Sequence, residues 1–123
     1  MSSDLDAYVE PDQDLSHPIP RLDTLDVLLE SDKAARVGIV IASPLQDDTR
    51  SRVRFERKLE LCLQYFWRPT FSERYGAPTP ASAQLYISIH AGSHPAMMDL
   101  VNAQTERISQ HGVRPVIKLI GSN

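Results

Sequence analysis

His90 and His94 stand four residues apart, and Asp47 and Asp48 are adjacent carboxylates. Imidazole and carboxylate groups ligate zinc and other divalent metals, and they pass protons in general acid–base catalysis. If the strands that precede the two pairs run parallel, all four groups gather at the carboxyl edge of one sheet. Open α/β folds place their ligands at that edge. One reading is therefore a small metal-dependent or acid–base enzyme using His90, His94, Asp47 and Asp48. A plainer reading outweighs it: two acids cap a helix and two histidines sit in a turn. His111 is too distant to join the set, about 25 Å along a helix from His94 at 1.5 Å per residue.

Other chemistry is thinner. Gly92-Ser93 before a helix start offers N–H groups to an anion. Phosphate cradles need several glycines at fixed spacing, so ordinary capping is the better account. Cys62 is the one cysteine, which excludes an internal disulfide and a multi-cysteine zinc site. It falls on an apolar helical face, where a thiol behaves as a small hydrophobe. Ser43 and Ser93 lack a nucleophile elbow. No catalytic set and no resident cofactor is expected.

Two clusters suggest recognition instead. Tyr65, Phe66, Trp67, Phe71 and Tyr75 fall close together, with Arg68 and Arg74 among them. Trp, Tyr and Arg are the usual anchors of protein interfaces. Packing of a long loop onto the domain explains the cluster equally well. Arg50, Arg52, Arg54, Arg57 and Lys58 crowd one short stretch, but Glu56 and Glu60 interrupt it. A solvated helix face is the main expectation there and nucleic-acid binding a weak one. A third option is that the acidic N-terminal segment folds back over these bases.

These residues need elements to hold them. Leu25, Val27 and Leu29 suit a strand, and Ser31-Asp32-Lys33 suits a turn. Val37–Ala42 is β-branched and nearly all apolar, as in an inner strand covered on both sides or nearly so. A helix should open at Asp47-Asp48-Thr49 and stop by Pro69, with Phe55, Leu59, Cys62, Leu63 and Phe66 facing the core. Residues 68–82 read as a working loop. Leu85, Ile87 and Ile89 alternate with Tyr86, Ser88 and His90 in a third strand. A second helix follows Pro95, with Met97, Leu100, Val101, Gln104 and Ile108 inward and Gly112 at its end. Val113–Ile120 is a last strand. The order β-β-α-β-α-β predicts an α/β two-layer (α+β) domain, a mixed four-stranded sheet with both helices on one face.

The chain has 123 residues and a net charge of -3. Residues 1–32 hold nine acids and one base, residues 33–123 twelve bases and seven acids. Residues 1–21, with Pro11, Pro18 and Pro20, read as a flexible acidic tail, and 22–123 as one domain. No signal-peptide pattern and no stretch near the ~20 apolar residues of a membrane span appears. A cytoplasmic protein without membrane contact is expected.

From Leu22 to Val113 the pattern resembles a small bacterial family catalogued as a domain of unknown function. The resemblance rests on Leu25-Asp26-Val27-Leu28-Leu29, the Val37–Ala42 strand, the Leu45-Gln46-Asp47-Asp48 lead-in, the helix from Phe55 to Phe66, and His111-Gly112-Val113. It implies the two-layer fold and no catalytic residues.

The functional expectation is a non-catalytic protein-binding module, most specifically an immunity- or antitoxin-like protein that neutralises a toxin domain by contact. Its contact residues would be Trp67, Arg68, Phe71, Arg74 and Tyr75, with Asp12 and Asp14 steering toward a basic cleft. A homodimer paired through the open edge of the last strand is a further alternative.

Overall fold

The computed structural model describes residues 9–121. The chain runs β1 (Val27–Glu30), β2 (Ala35–Ile41), α1 (Thr49–Trp67), α2 (Pro69–Tyr75), β3 (Ala83–His90), α3 (Pro95–Asn102), α4 (Gln104–Gln110) and β4 (Arg114–Ile120). The strands form one sheet in the order β1-β2-β3-β4. β1 and β2 are antiparallel, with Val27 opposite Gly38. β2–β3 and β3–β4 are parallel, with Ile39 opposite Ile87 and Ser88 opposite Lys118. This is the expected mixed sheet in an α+β fold.

The core lies between the sheet and the helices. Val37, Ile39 and Ile41 of β2 and Leu85, Ile87 and Ile89 of β3 are fully buried. Phe55, Leu59, Cys62, Leu63 and Phe66 of α1 meet them, with Met97, Val101 and Ile108 from α3 and α4. Asp48 opens α1 from an extended backbone, and its carboxylate accepts the Ser51 N–H at 2.7 Å. Such a cap is worth about 1 kcal/mol. The helix stops where it should, because Pro69 forces Arg68 into an extended conformation.

Three details differ from expectation. Residues 68–82 are not a plain loop: Pro69 starts the short helix α2, which buries Phe71 against Phe66 at 5.4 Å between rings. The second helix breaks at Ala103 into α3 and α4. β2 is covered on one side rather than both, since Arg36 and Val40 are exposed. Its β-branched residues pack the single core face. Gly38 alone is buried on the other face, beneath the Val27 side chain.

Of the expected tail, residues 1–8 lie outside the described residues, and residues 9–21 lie against the domain. Residues 12–22 fold into a small loop closed by Asp14 N–H to Pro20 O (2.8 Å) and Leu22 N–H to Asp12 O (2.7 Å). Ile19 and Leu22 enter the core. The loop lies on α1, and the helix donates to it along the stripe Arg50, Arg54, Arg57 and Lys58. Arg50 pairs with Glu10 and Asp14, and Arg57 with Asp12. Arg54 and Lys58 are 0% exposed. Arg54 donates to Ile19 O (2.8 Å), Pro11 O (2.7 Å) and Glu10. The acidic segment thus folds back over the basic helix, in place of a solvated helix face. Among the described residues, no helix is long and apolar enough to cross a membrane.

Candidate functional site

Among the described residues, no layer lies over the face of the sheet away from the helices. Alternation places Val27 and Leu29 of β1, Arg36, Gly38 and Val40 of β2, Gln84, Tyr86 and Ser88 of β3, and Arg114, Val116 and Lys118 of β4 on this face. The middle row is Val27, Gly38, Tyr86 and Val116. Gly38 lacks a side chain, and its absence leaves a shallow depression of about 190 Å³ bordered by Val27, Leu29, Val40, Tyr86, Arg36 and Lys118. The Arg36 guanidinium lies over the Tyr86 ring, 5.8 Å from its centre.

The charge on this face is one-sided. Among the described residues, Arg21, Lys33, Arg36, Arg68, Arg114 and Lys118 are the Lys and Arg side chains with no ion pair. Three of these six stand on the bare face. None of its strand residues is acidic. Elsewhere, Arg21, Lys33 and Arg68 apart, the bases are matched: Arg52 to Asp47, Lys58 to Asp26, Arg74 to Glu30, and Arg107 to Glu56 and Glu60.

Compared with models of protein families, with curated proteins and with solved structures, the chain matches none. Function has to be argued from its own geometry.

The contact residues expected from sequence do not form one surface. Phe71 is buried and packs edge-on against Tyr65 and Phe66. Tyr75 donates its hydroxyl hydrogen to Ser31 O (2.6 Å), pinning α2 to the β1–β2 turn. Arg74 reaches the same turn through Glu30 and Ser31 O. These three hold the loop on the domain, which is the packing account of the cluster. Burial, and then Glu30, push the Tyr65 phenol up to about 12. Trp67 is 46% exposed and meets the His111 ring edge-on at 4.9 Å. Arg68 is exposed beside it. Asp12 and Asp14 are turned to Arg57 and Arg50. The Arg50 guanidinium holds the Asp14 carboxyl far below its usual range, and Glu10 and Asp14 raise Arg50 in turn.

The histidine–aspartate set is also spoken for. Asp48 caps α1, and its carboxyl is lowered chiefly by the Ser51 N–H. Asp47 accepts from Arg52 at 2.7 Å. His94 Nδ1 accepts the Ala96 N–H at 3.0 Å, capping α3. His90 Nδ1 accepts the Gly92 N–H at 2.9 Å, and its ring lies over Gly121. Among the described residues, no three His, Cys, Asp or Glu side chains converge as a metal site would require. The Gly92-Ser93 N–H groups are internally used as well. Ser93 N–H donates to His90 O, and Ser93 Oγ accepts the Leu45 N–H at 2.9 Å. Cys62 is buried, and burial pushes its thiol up to about 12.

The bare face itself carries only a faint signal in the sequence. The alternation of Tyr86 and Ser88 against Leu85 and Ile87 pointed to it, as did Arg114, Val116 and Lys118. The apolar run of β2 hid it by suggesting cover on both sides.

Proposed function

We propose that this chain is a non-catalytic protein-binding module, in its most specific form an immunity- or antitoxin-like protein that holds a toxin domain by direct contact. The observation that carries this reading is the bare sheet face, with an apolar centre and three cations that no acid answers. Apolar patches rimmed by polar groups mark contact surfaces. Trp67 and Arg68 offer a second, smaller contact region on the helix side. The acidic segment supports the reading differently from its raw charge. Its Glu10, Asp12 and Asp14 are already matched to α1, so steering toward a basic cleft is not their main contribution. The reading is of a bacterial, cytoplasmic protein.

A benzophenone amino acid placed at Val40, and separately at Trp67, tests the proposal in cells of the native host. One protein should cross-link in proportion to the chain, and calorimetry on the purified pair should lose the binding heat with Val40→Asp. If neither position captures a protein, the module reading is wrong.

A further inference from the structure

The bare face also says what kind of partner it takes, an inference that rests on the binding-module reading above. We propose that it docks an acidic amphipathic helix of the partner. The helix's apolar stripe lies on Val27, Val40, Tyr86 and Val116, and its carboxylates reach Arg36, Arg114 and Lys118.

Shape comes first. Four strands spaced ~4.8 Å apart, of four (β1), seven, eight and seven residues, make a face of at most roughly 15 by 23 Å. A helix is about 10 Å wide and rises 1.5 Å per residue, so about ten to fifteen residues fill this area. Helices are the elements that cover open sheet faces in layered α/β architectures. The opposite face of this same sheet is covered that way.

Charge selects among helices. Arg36 and Arg114 flank Gln84 in one row, and Lys118 lies beside Ser88, four residues further along the strands. By strand geometry the two arginines are about 10 Å apart and Lys118 about 13 Å from Arg114. The cations therefore frame the Val27–Tyr86–Val116 row on both sides. An apolar stripe bordered by Glu or Asp matches this frame, whereas a basic helix puts like charge opposite like charge.

A second copy of the chain fits poorly. Face-to-face pairing would oppose three cations to three cations. The face also offers roughly 350 Å² in projection, well short of the ~800 Å² per partner of a stable interface. Single-stranded nucleic acid is a different class with the same charge sign. Sheet surfaces that bind it stack two or three bases on aromatic side chains, whereas this face carries Tyr86 and, at the end of β3, His90, whose ring lies over Gly121. The aliphatic character of Val27, Leu29, Val40 and Val116 favours a protein helix.

The test uses the full chain, labelled with ¹⁵N, and two synthetic peptides of about fifteen residues. Both carry Leu along one helical stripe, and the remaining positions are Glu-rich in one and Lys-rich in the other. The Glu peptide should bind at least about tenfold more tightly than the Lys peptide at low salt. Its shifts should centre on Val40, Tyr86, Ser88 and Lys118. Arg36→Glu with Lys118→Glu should reverse the preference while the urea midpoint stays unchanged. Equal affinity for both peptides, or shifts centred on Trp67 and α1, overturns the proposal. Tighter binding of a short oligothymidylate to the same face overturns it in favour of nucleic acid. The two readings fail separately. A host protein captured from Trp67, with both peptides ignored by the sheet, removes the docking mode and leaves the module. Correct peptide order with no protein captured from either position removes the module.

Discussion

Replacing Lys58 by Met should unlock the N-terminal loop from the domain. The Lys58 ammonium is fully buried and has three protons. It gives one each to Arg21 O (2.7 Å), Thr24 O (2.5 Å) and Asp26 Oδ1 (2.8 Å). Methionine keeps most of the volume and the apolar stem but donates nothing. Hydrogen bonds to a charged donor are worth about 1.5–3 kcal/mol each. Two of the acceptors are carbonyls near the surface and regain water when the loop opens, so the gross sum is not lost. What remains is the cost of breaking a pair buried on the lysine side, at the lower end of about 3–5 kcal/mol. With a urea slope of about 1–3 kcal/mol/M, the midpoint should fall by about 2 M at unchanged slope. Asp26 keeps one partner, the Val40 N–H at 2.9 Å. Adding Asp26→Asn to Lys58→Met should therefore recover about 1–2 kcal/mol by removing the unanswered charge. A midpoint shift below about 0.5 M for Lys58→Met would refute the reasoning, because the three bonds would then hold nothing the fold needs.

Other consequences follow from single contacts. His17 Nδ1 accepts the Ile19 N–H, so Nε2 carries the ring proton and donates to Ser51 Oγ at 3.1 Å. Partial burial, then Arg54 and Arg50, hold this imidazole below its usual 6.5. The unfolded chain therefore binds the proton first, and stability should be full above pH 6.5 and decline as pH falls below it. His17→Gln should flatten that decline in urea titrations. Asp14 and Asp48 act in a lower window: their contribution stands above the unfolded value of 3.8 and is lost as pH falls toward their lowered values. Gly38→Ala would set a methyl 3.0 Å from Val27 Cβ and should cost about 1–3 kcal/mol. Val27→Ala should relieve most of this in the double variant, read as recovery of the urea midpoint. Cys62 should stay inert to a disulfide reagent at pH 8 in the native protein and react fully in urea, since its thiol is pushed up to about 12.

Much of the fold was readable because local rules agreed with the packing. Asp48, the stripe from Phe55 to Phe66 and Pro69 together delimit α1. The alternation in β3 separates Leu85, Ile87 and Ile89 from Tyr86 and Ser88. Arg54 and Lys58 were not readable, because charge normally marks a solvated face. Their burial depends on the carbonyls of Pro11, Ile19, Arg21 and Thr24 and the carboxylates of Glu10 and Asp26, all distant in sequence. The aromatic cluster left two readings open for a related reason. Composition identifies residues suited to interfaces, but an internal seam such as α2 against α1 uses the same residues. The bare face emerges only when register assembles side chains from four strands, none of which looks unusual alone.

The contacts between the N-terminal loop and α1 also order events in time. Those made by Arg54 and Arg57 with residues 10–19 span 35 to 47 positions. Ribosomes add about 5–20 residues per second, so Glu10 and Asp12 wait about 2–9 s for their arginines to be made. Through that interval the segment has no helix to lie on. The loop, the first described segment to be made, can therefore dock only after β1, β2 and the first half of α1 have followed it.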